Sequence, residues 1–224
     1  MSPRLMSPYA LARSKERFFI LLCLVLGLLV LVPILNRFVA ARIFLDIFLT
    51  ALVISMAYTI SPKKGYLAAG VLMAIVMLVS LWMQYAYPYK PIAAIGMLAG
   101  VLFGAMVVAS IVGFMLRSEA VNRELIYAAI LLYLLAALMW AFVYTFLELV
   151  DPASFNIDLS QPQGSLLVFQ YYSFVTITTL GYGDIAPVTE VAKAFSVLEA
   201  VVGQLYLVVA VAWLVGMHVS GKSK

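Results

Sequence analysis

Six long apolar runs, separated by short charged or proline-containing breaks, dominate the sequence. A helix rises about 1.5 Å per residue and a hydrocarbon core is about 30 Å thick, so about 20 apolar residues cross it. Only 11% of the 224 residues are charged, whereas soluble domains are about 25% charged. The sequence therefore predicts an all-α integral membrane protein with six transmembrane helices, and it excludes a large soluble enzyme. The runs lie at about Phe18–Leu35, Ile43–Ile60, Gly65–Tyr87, Ile92–Leu116, Leu125–Val150 and Val191–Val219.

Basic residues divide unevenly between the two sides of the membrane that six spans define. Ten lysines and arginines fall on the side of the termini and four on the other side. Short loops rich in Lys and Arg stay in the cytoplasm, so the side of the termini is the cytoplasmic side. We expect a multi-pass protein of the cell membrane. Its N-terminal segment (residues 1–17) and C-terminal tail (residues 220–224) are then both cytoplasmic. Phe18–Leu35 has 18 residues, more than the roughly 7–15 of a signal-peptide core, so we expect it to be retained as an anchor.

The segment between the fifth and sixth runs differs from the rest. Ser165–Thr178 is moderately apolar but has only 14 residues, about 21 Å as a helix, which is too short to cross a membrane. We therefore expect it to be re-entrant. After it, Gly181 and Gly183 alternate with larger residues. Because glycine accepts both hands of backbone torsion, successive carbonyls can point to one side, and aligned carbonyl oxygens bind hard cations.

This segment predicts an assembly of several chains. One strand supplies one oxygen per level of a cation site, and the sequence contains the strand once. Several chains must therefore meet around an axis to enclose a cation. The helix Ser165–Thr178 would also direct its partly negative C-terminal carbonyls at the cavity below, which favours cations over anions.

The motif TTLGYGD at residues 178–184, with an aromatic-rich short helix before it and an apolar span after it, resembles the pore of the potassium channel superfamily. The resemblance covers about Leu125–Val219, and the six-span plan is similar to that of voltage-gated-type channels. It implies a homotetramer that conducts K⁺ passively, with K⁺ ions in the filter, no other cofactor and no enzymatic activity. The implied domains are a four-helix peripheral domain (18–116) and a pore domain (125–219). The pore domain comprises an outer helix (125–150), a pore helix (165–178), a filter (179–183) and an inner helix (191–219).

The resemblance also implies a role for individual residues. The K⁺ ligands would be the Thr179 hydroxyl and the carbonyls of four residues, with Gly183 ending the filter. These four are Thr179, Leu180, Gly181 and Tyr182. The residues expected to support the filter are Thr178, Asp184, Tyr171, Tyr172 and Glu199. Hydroxyl groups of the two tyrosines are expected to brace Tyr182 or Asp184. Leu180 stands where valine is commonest, and we expect selectivity to survive because that position donates only its carbonyl.

The inner helix contains the candidate hinge and gate residues of the resemblance. Gly203 lies twenty residues after Gly183, the spacing of the family's hinge glycine. The inner helices would converge near Val211, Ala212 and Val215, where a ring of apolar side chains could close the pore by dewetting. A gate at the filter is the alternative.

The fourth run, Ile92–Leu116, contains no Arg or Lys. Moving one charge through the membrane field contributes about 2.3 kcal/mol per 100 mV, so a helix without such charges performs no electrical work. We therefore predict a channel with the voltage-gated layout and with weak or absent voltage gating. Any gating ligand would act on the membrane part, on lipid contacts or through an unidentified partner subunit.

Three features each have two interpretations. Glu199, deep in the last run, either tunes the filter by bonding Ser173 or Thr176, or only fastens two helices, and the sequence does not choose. Gly96, Gly100 and Gly104 form either a sliding contact or, as we favour, rigid packing within the peripheral bundle. Asp46, four residues after Arg42, is either a functional acid or, as we favour, half of an ion pair.

Other functions fit the sequence less well. The main alternative is a non-conducting regulatory subunit that assembles with other channel chains, but the intact filter motif argues against it. Transporters with degenerate filters carry four repeats in one chain, whereas this chain has one. An intramembrane enzyme is set aside because no HExxH or GxSxG motif is present. Nucleic acid is not expected as a partner because the net charge is only +4 and is scattered.

Overall fold

A computed structural model describes residues 17–35, 50, 64–86, 89–157 and 165–222. Within these ranges the chain forms six α-helices, which we number α1 to α6 in order. They are α1 (Arg17–Leu35), α2 (Lys64–Ala86), α3 (Lys90–Leu116), α4 (Arg123–Val150), α5 (Ser165–Ile177) and α6 (Glu190–Lys222). The predicted span Ile43–Ile60 (apart from Thr50), the Arg42–Asp46 pair and residues 1–16 lie outside the described residues.

Four of the described helices are long and apolar enough to cross a membrane: α2, α3, α4 and α6. Such helices make the chain a membrane protein. By the same measure α1 is a shorter apolar helix over Arg17–Leu31. The short helix α5 has 13 residues, about 20 Å, and so is too short to span, as its sequence predicted.

The turn between α3 and α4 keeps these two helices together. It comprises only residues 117–122, and the side chain of Asn122 accepts a hydrogen bond from Leu125 N at 2.9 Å. This N-cap satisfies one of the N–H groups that the start of a helix leaves free. Because the turn is so short, α3 returns directly onto α4 of the same chain, and this pair forms the largest helix contact among the described residues.

The glycine stripe on α3 (Gly96, Gly100 and Gly104) packs tightly against its neighbours. A Cβ atom at Gly100 would lie 2.6 Å from Cδ1 of Phe142, and one at Gly104 would lie 3.2 Å from Cγ of Met139. These contacts agree with rigid packing rather than sliding. The expected location was wrong in part, however, because Phe142 and Met139 belong to α4 of the predicted pore domain. Only Gly96 faces a peripheral helix, through Ser80 of α2.

An aromatic cluster (Trp140, Tyr144, Phe155, Phe169 and Tyr172) connects α4 to α5. Phe155 reaches it because the carboxylate of Glu148, at the end of α4, accepts hydrogen bonds from Ala153 N at 2.9 Å and from Phe155 N at 3.1 Å. The same turn is joined to the segment before α6, since Val188 N donates to Ser154 O at 2.7 Å. Both ends of the loop that contains α5 and the filter are thereby held in place.

Candidate functional site

The filter segment has a left-handed backbone at every second residue. Thr179, Gly181 and Gly183 have φ values of +59°, +57° and +78°, whereas Leu180 and Tyr182 lie outside the positive region. When left-handed residues alternate with residues of negative φ, successive backbone N–H groups turn to one side of the chain. Because a trans peptide unit is planar, its C=O points opposite to its N–H. The carbonyls of this segment can therefore face one side together, as the alternating glycines predicted.

Thr179 is a left-handed residue that the sequence reasoning missed. A β-branched residue rarely adopts this conformation, at a cost of roughly 1–2 kcal/mol. The cause lies in how α5 ends: Thr179 N donates to Thr176 O, and Leu180 N donates to Val175 O, both at 3.0 Å. These two bonds define a Schellman motif, whose left-handed residue is usually glycine. The first filter residue thus also terminates the pore helix, and the helix boundary was the signal that could have revealed it.

The last carbonyls of α5 accept hydrogen bonds, and their expected direction toward a cavity stays a prediction. Val175 O and Thr176 O accept the Schellman bonds, and Phe174 O accepts from Thr178 N at 3.2 Å. Ile177 O accepts from the Tyr133 hydroxyl of α4 at 2.8 Å. The sequence reasoning did not foresee these partners because they come from the filter itself and from a residue 44 positions away.

Of the two tyrosines expected to brace the filter, only Tyr171 does so. Its hydroxyl donates to Oδ2 of Asp184 at 2.8 Å, which links α5 to the residue after the filter. Tyr172 points to α6 instead, where its hydroxyl lies 2.7 Å from Oγ of Ser196. Since Ser196 Oγ already donates to Ala192 O at 2.8 Å, Tyr172 is the donor. The prediction for Tyr172 was wrong because its face of α5 is covered by α6.

Glu199 is fully buried between α4, α5 and α6. Ser173 of α5 is hydrogen-bonded to its Oε1, the contact expected from the sequence. A second partner was missed: the Tyr144 hydroxyl of α4 donates to Oε2 at 2.5 Å. Tyr144 lies 55 positions away within an apolar span, so no local pattern could indicate it. The carboxyl group therefore joins three helices behind the filter.

Gly203 lies against the last residue of α5. A Cβ atom there would be 2.5 Å from Cγ1 and 3.1 Å from the carbonyl oxygen of Ile177. Helix α6 runs without interruption through this position. Close packing thus accounts for the glycine, and the hinge stays a prediction. Val211, Ala212 and Val215 are exposed on the single chain, far along α6 from the filter, and their role as a gate also stays a prediction.

The filter strand is not covered by its own chain. Residues 178 to 184 are all exposed, and the side chains of Leu180 and Tyr182 are 55% and 66% exposed. Apolar side chains of α6 are similarly uncovered along most of its length. The apolar groups of this pore region therefore need partners beyond the single chain.

Comparison with known families supports a channel. Residues 128–219 match the family model Ion_trans_2, described as ion channel. The matched region runs from α4 to α6 and includes the filter segment, but it covers less than half of the chain. A search of curated proteins and a search of solved structures found no match. The match and the membrane-spanning helices together support an ion channel, and proteins of this family are typically oligomeric.

Proposed function

We propose that the protein is a potassium-selective channel that conducts K⁺ passively down its electrochemical gradient. The observation that carries the proposal is the left-handed backbone at Thr179, Gly181 and Gly183. This alternation lets the carbonyls of Thr179 to Tyr182 replace the hydration shell of K⁺, with the Thr179 hydroxyl at the lower end. Asp184, held by Tyr171, lies beside the outer mouth.

The channel is proposed to be a homotetramer in the cell membrane, with both termini in the cytoplasm. Four copies of the exposed filter strand supply four oxygens at each level, which encloses a dehydrated cation. The exposed apolar faces of Leu180, Tyr182 and α6 would contact neighbouring copies and lipid. The orientation rests on the excess of Lys and Arg on the side of the termini.

The test is cation flux from liposomes that contain only the purified protein. We expect K⁺ to leave at least about tenfold faster than Na⁺, a difference of about 1.4 kcal/mol. Native mass spectrometry of the same sample should give four chains per particle. Equal rates for the two ions, or a dimer or trimer, would contradict the proposal. Tetramers without any flux would instead favour a non-conducting regulatory subunit.

Voltage is expected to have little effect on the open probability. Helix α3 carries no Arg or Lys after its first residue, Lys90. It packs closely against α2 and α4 through the glycine stripe described above. A helix without charges gains nothing from the field, whereas each charge that moves contributes about 2.3 kcal/mol per 100 mV. We predict a nearly constant open probability between about −100 and +100 mV in planar bilayers. A steep conductance–voltage curve, equivalent to three or more charges per subunit, would show that another element senses voltage.

A further inference from the structure

The hydrogen bonds around Glu199 define how many protons the cluster holds. Ser173 Oγ contacts two acceptors, Glu199 Oε1 and, at 2.7 Å, the carbonyl oxygen of Ala137. A serine hydroxyl has only one hydrogen. If Glu199 were a carboxylate, one of these two short oxygen–oxygen contacts would have no hydrogen between its atoms. A proton on Oε1 resolves the conflict, because Glu199 then donates to Ser173 and Ser173 donates to Ala137.

The third contact of the cluster agrees with this arrangement. Tyr144 donates its hydroxyl hydrogen to Oε2 at 2.5 Å, so Oε2 needs no proton of its own and can be the carbonyl oxygen of an acid that is protonated on Oε1. Each hydroxyl in the chain Glu199–Ser173–Ala137 then donates once. The carbonyl oxygen of Phe195, at 3.4 Å from the Tyr144 hydroxyl, is a longer and weaker second acceptor. Each of the shorter contacts in the cluster therefore holds one proton.

In the part of the chain that the structure describes, no positive charge compensates a carboxylate at this position. Among the described residues no Lys, Arg or His forms an ion pair with Glu199. The titratable groups that face it are phenols: Tyr133 and Tyr144 of α4 and Tyr172 of α5. Tyr133 donates to Ile177 O and Tyr172 to Ser196, so neither adds a proton to Glu199. A buried carboxylate without a cation is strongly disfavoured, and such groups keep their proton instead.

The cluster also lies in register with the contact at Gly203. Glu199 meets Ser173, and one turn later on both helices Gly203 meets Ile177. Ile177 is the last residue of α5 and is followed, after Thr178, by the first filter residue. A change in the Glu199 contact therefore acts on the helix end that shapes the left-handed turn at Thr179.

We infer that Glu199 is a neutral, protonated carboxylic acid that positions the filter by donating a hydrogen bond to Ser173 of the pore helix. This role rests on the proposed channel function, whereas the proton itself does not. Glu199 thereby joins α6 to two helices: its Oε1 donates to Ser173 of α5, and its Oε2 accepts from Tyr144 of α4. A charged carboxylate or a shorter side chain would not make the same set of bonds.

Infrared spectroscopy of the purified protein at neutral pH tests the proton directly. We expect a carbonyl stretch of a protonated carboxyl group in the wild type and its loss in Glu199→Gln. In Ser173→Ala the band should remain and shift to higher frequency, because the acid loses its acceptor. Absence of the band in the wild type, or a band that neither substitution changes, would overturn the inference. Ser173→Ala keeps the test decisive if Glu199→Gln fails to assemble.

Conservative replacement tests the positioning role. In Glu199→Gln the amide NH₂ donates to Ser173 and the amide oxygen accepts from Tyr144, so the bonds of the neutral acid are kept. We expect this variant to retain most of the thermal stability of the tetramer and its K⁺ over Na⁺ preference. Glu199→Ala removes the donor to Ser173 and the close acceptor of Tyr144 at once, and should lose roughly tenfold or more in K⁺ flux. If Gln proves as damaging as Ala, the neutral acid is not what the site requires.

The two tests separate the inference from the channel proposal. A protein without K⁺ flux but with the expected infrared changes would refute the proposed function and keep the protonated acid. Normal K⁺ flux without the carboxyl band would do the reverse.

Discussion

Replacing Gly181 by Ala is expected to abolish K⁺ flux while the helices stay folded. Gly181 has a φ of +57°, and an added Cβ would have no atom of the described residues within 4 Å beyond its chain neighbours. The substitution therefore causes no clash within one chain, and its effect comes from backbone preference. An L-residue in this conformation costs roughly 1–2 kcal/mol. In a tetramer the cost applies four times around one pore, and relief of the strain turns a carbonyl away from the ion.

Potassium flux from liposomes measures the effect, and circular dichroism checks the helix content. Gly113→Ala is the matched control, because Gly113 lies within α3, has no positive φ and has open space around an added Cβ. It should conduct as the wild type does. If Gly181→Ala conducts K⁺ with unchanged selectivity, the left-handed backbone at this position is not required for the proposed site.

Features that depend only on neighbouring residues could be predicted from the sequence. The length of α5 and the alternation at Gly181 and Gly183 were predictable because both depend on neighbouring residues only, whereas the re-entrant path stays a prediction. The environment of a carboxyl group in a span was equally general: such a group must face protein, and Glu199 does. The sequence offered Ser173 or Thr176 as its partner, and the structure has Ser173.

Contacts that join distant parts of the chain could not be predicted in this way. Tyr144 and Glu148 lie on an apolar helix whose pattern does not show which residues point toward α5 or the following turn. The same limit applies to the glycine stripe, whose small residues indicated close packing but did not identify α4 as the partner. Thr179 was missed for a different reason: its intrinsic preference opposes the conformation that the helix end imposes on it.

Gly203→Ala is expected to destabilise the pore by separating α6 from α5. The added Cβ would lie 2.5 Å from Cγ1 and 3.1 Å from the carbonyl oxygen of Ile177. That oxygen cannot move freely because it accepts the Tyr133 hydroxyl at 2.8 Å. Overpacking of this kind typically costs about 1–3 kcal/mol, and it applies in every subunit. We therefore expect a lower melting temperature of the tetramer and reduced K⁺ flux.

A second substitution distinguishes packing from a hinge at Gly203. Ile177→Ala removes Cγ1, so the double variant should lose less stability than the two single variants predict together, as expected for residues in contact. Gly216→Ala, on the same helix with open space around an added Cβ, raises helix propensity without a clash and should keep both stability and flux. A hinge requires only backbone freedom, so it predicts reduced opening with unchanged tetramer stability and no rescue by Ile177→Ala. Because packing predicts this coupling and a hinge predicts none, thermal unfolding of the four members of the cycle decides between them.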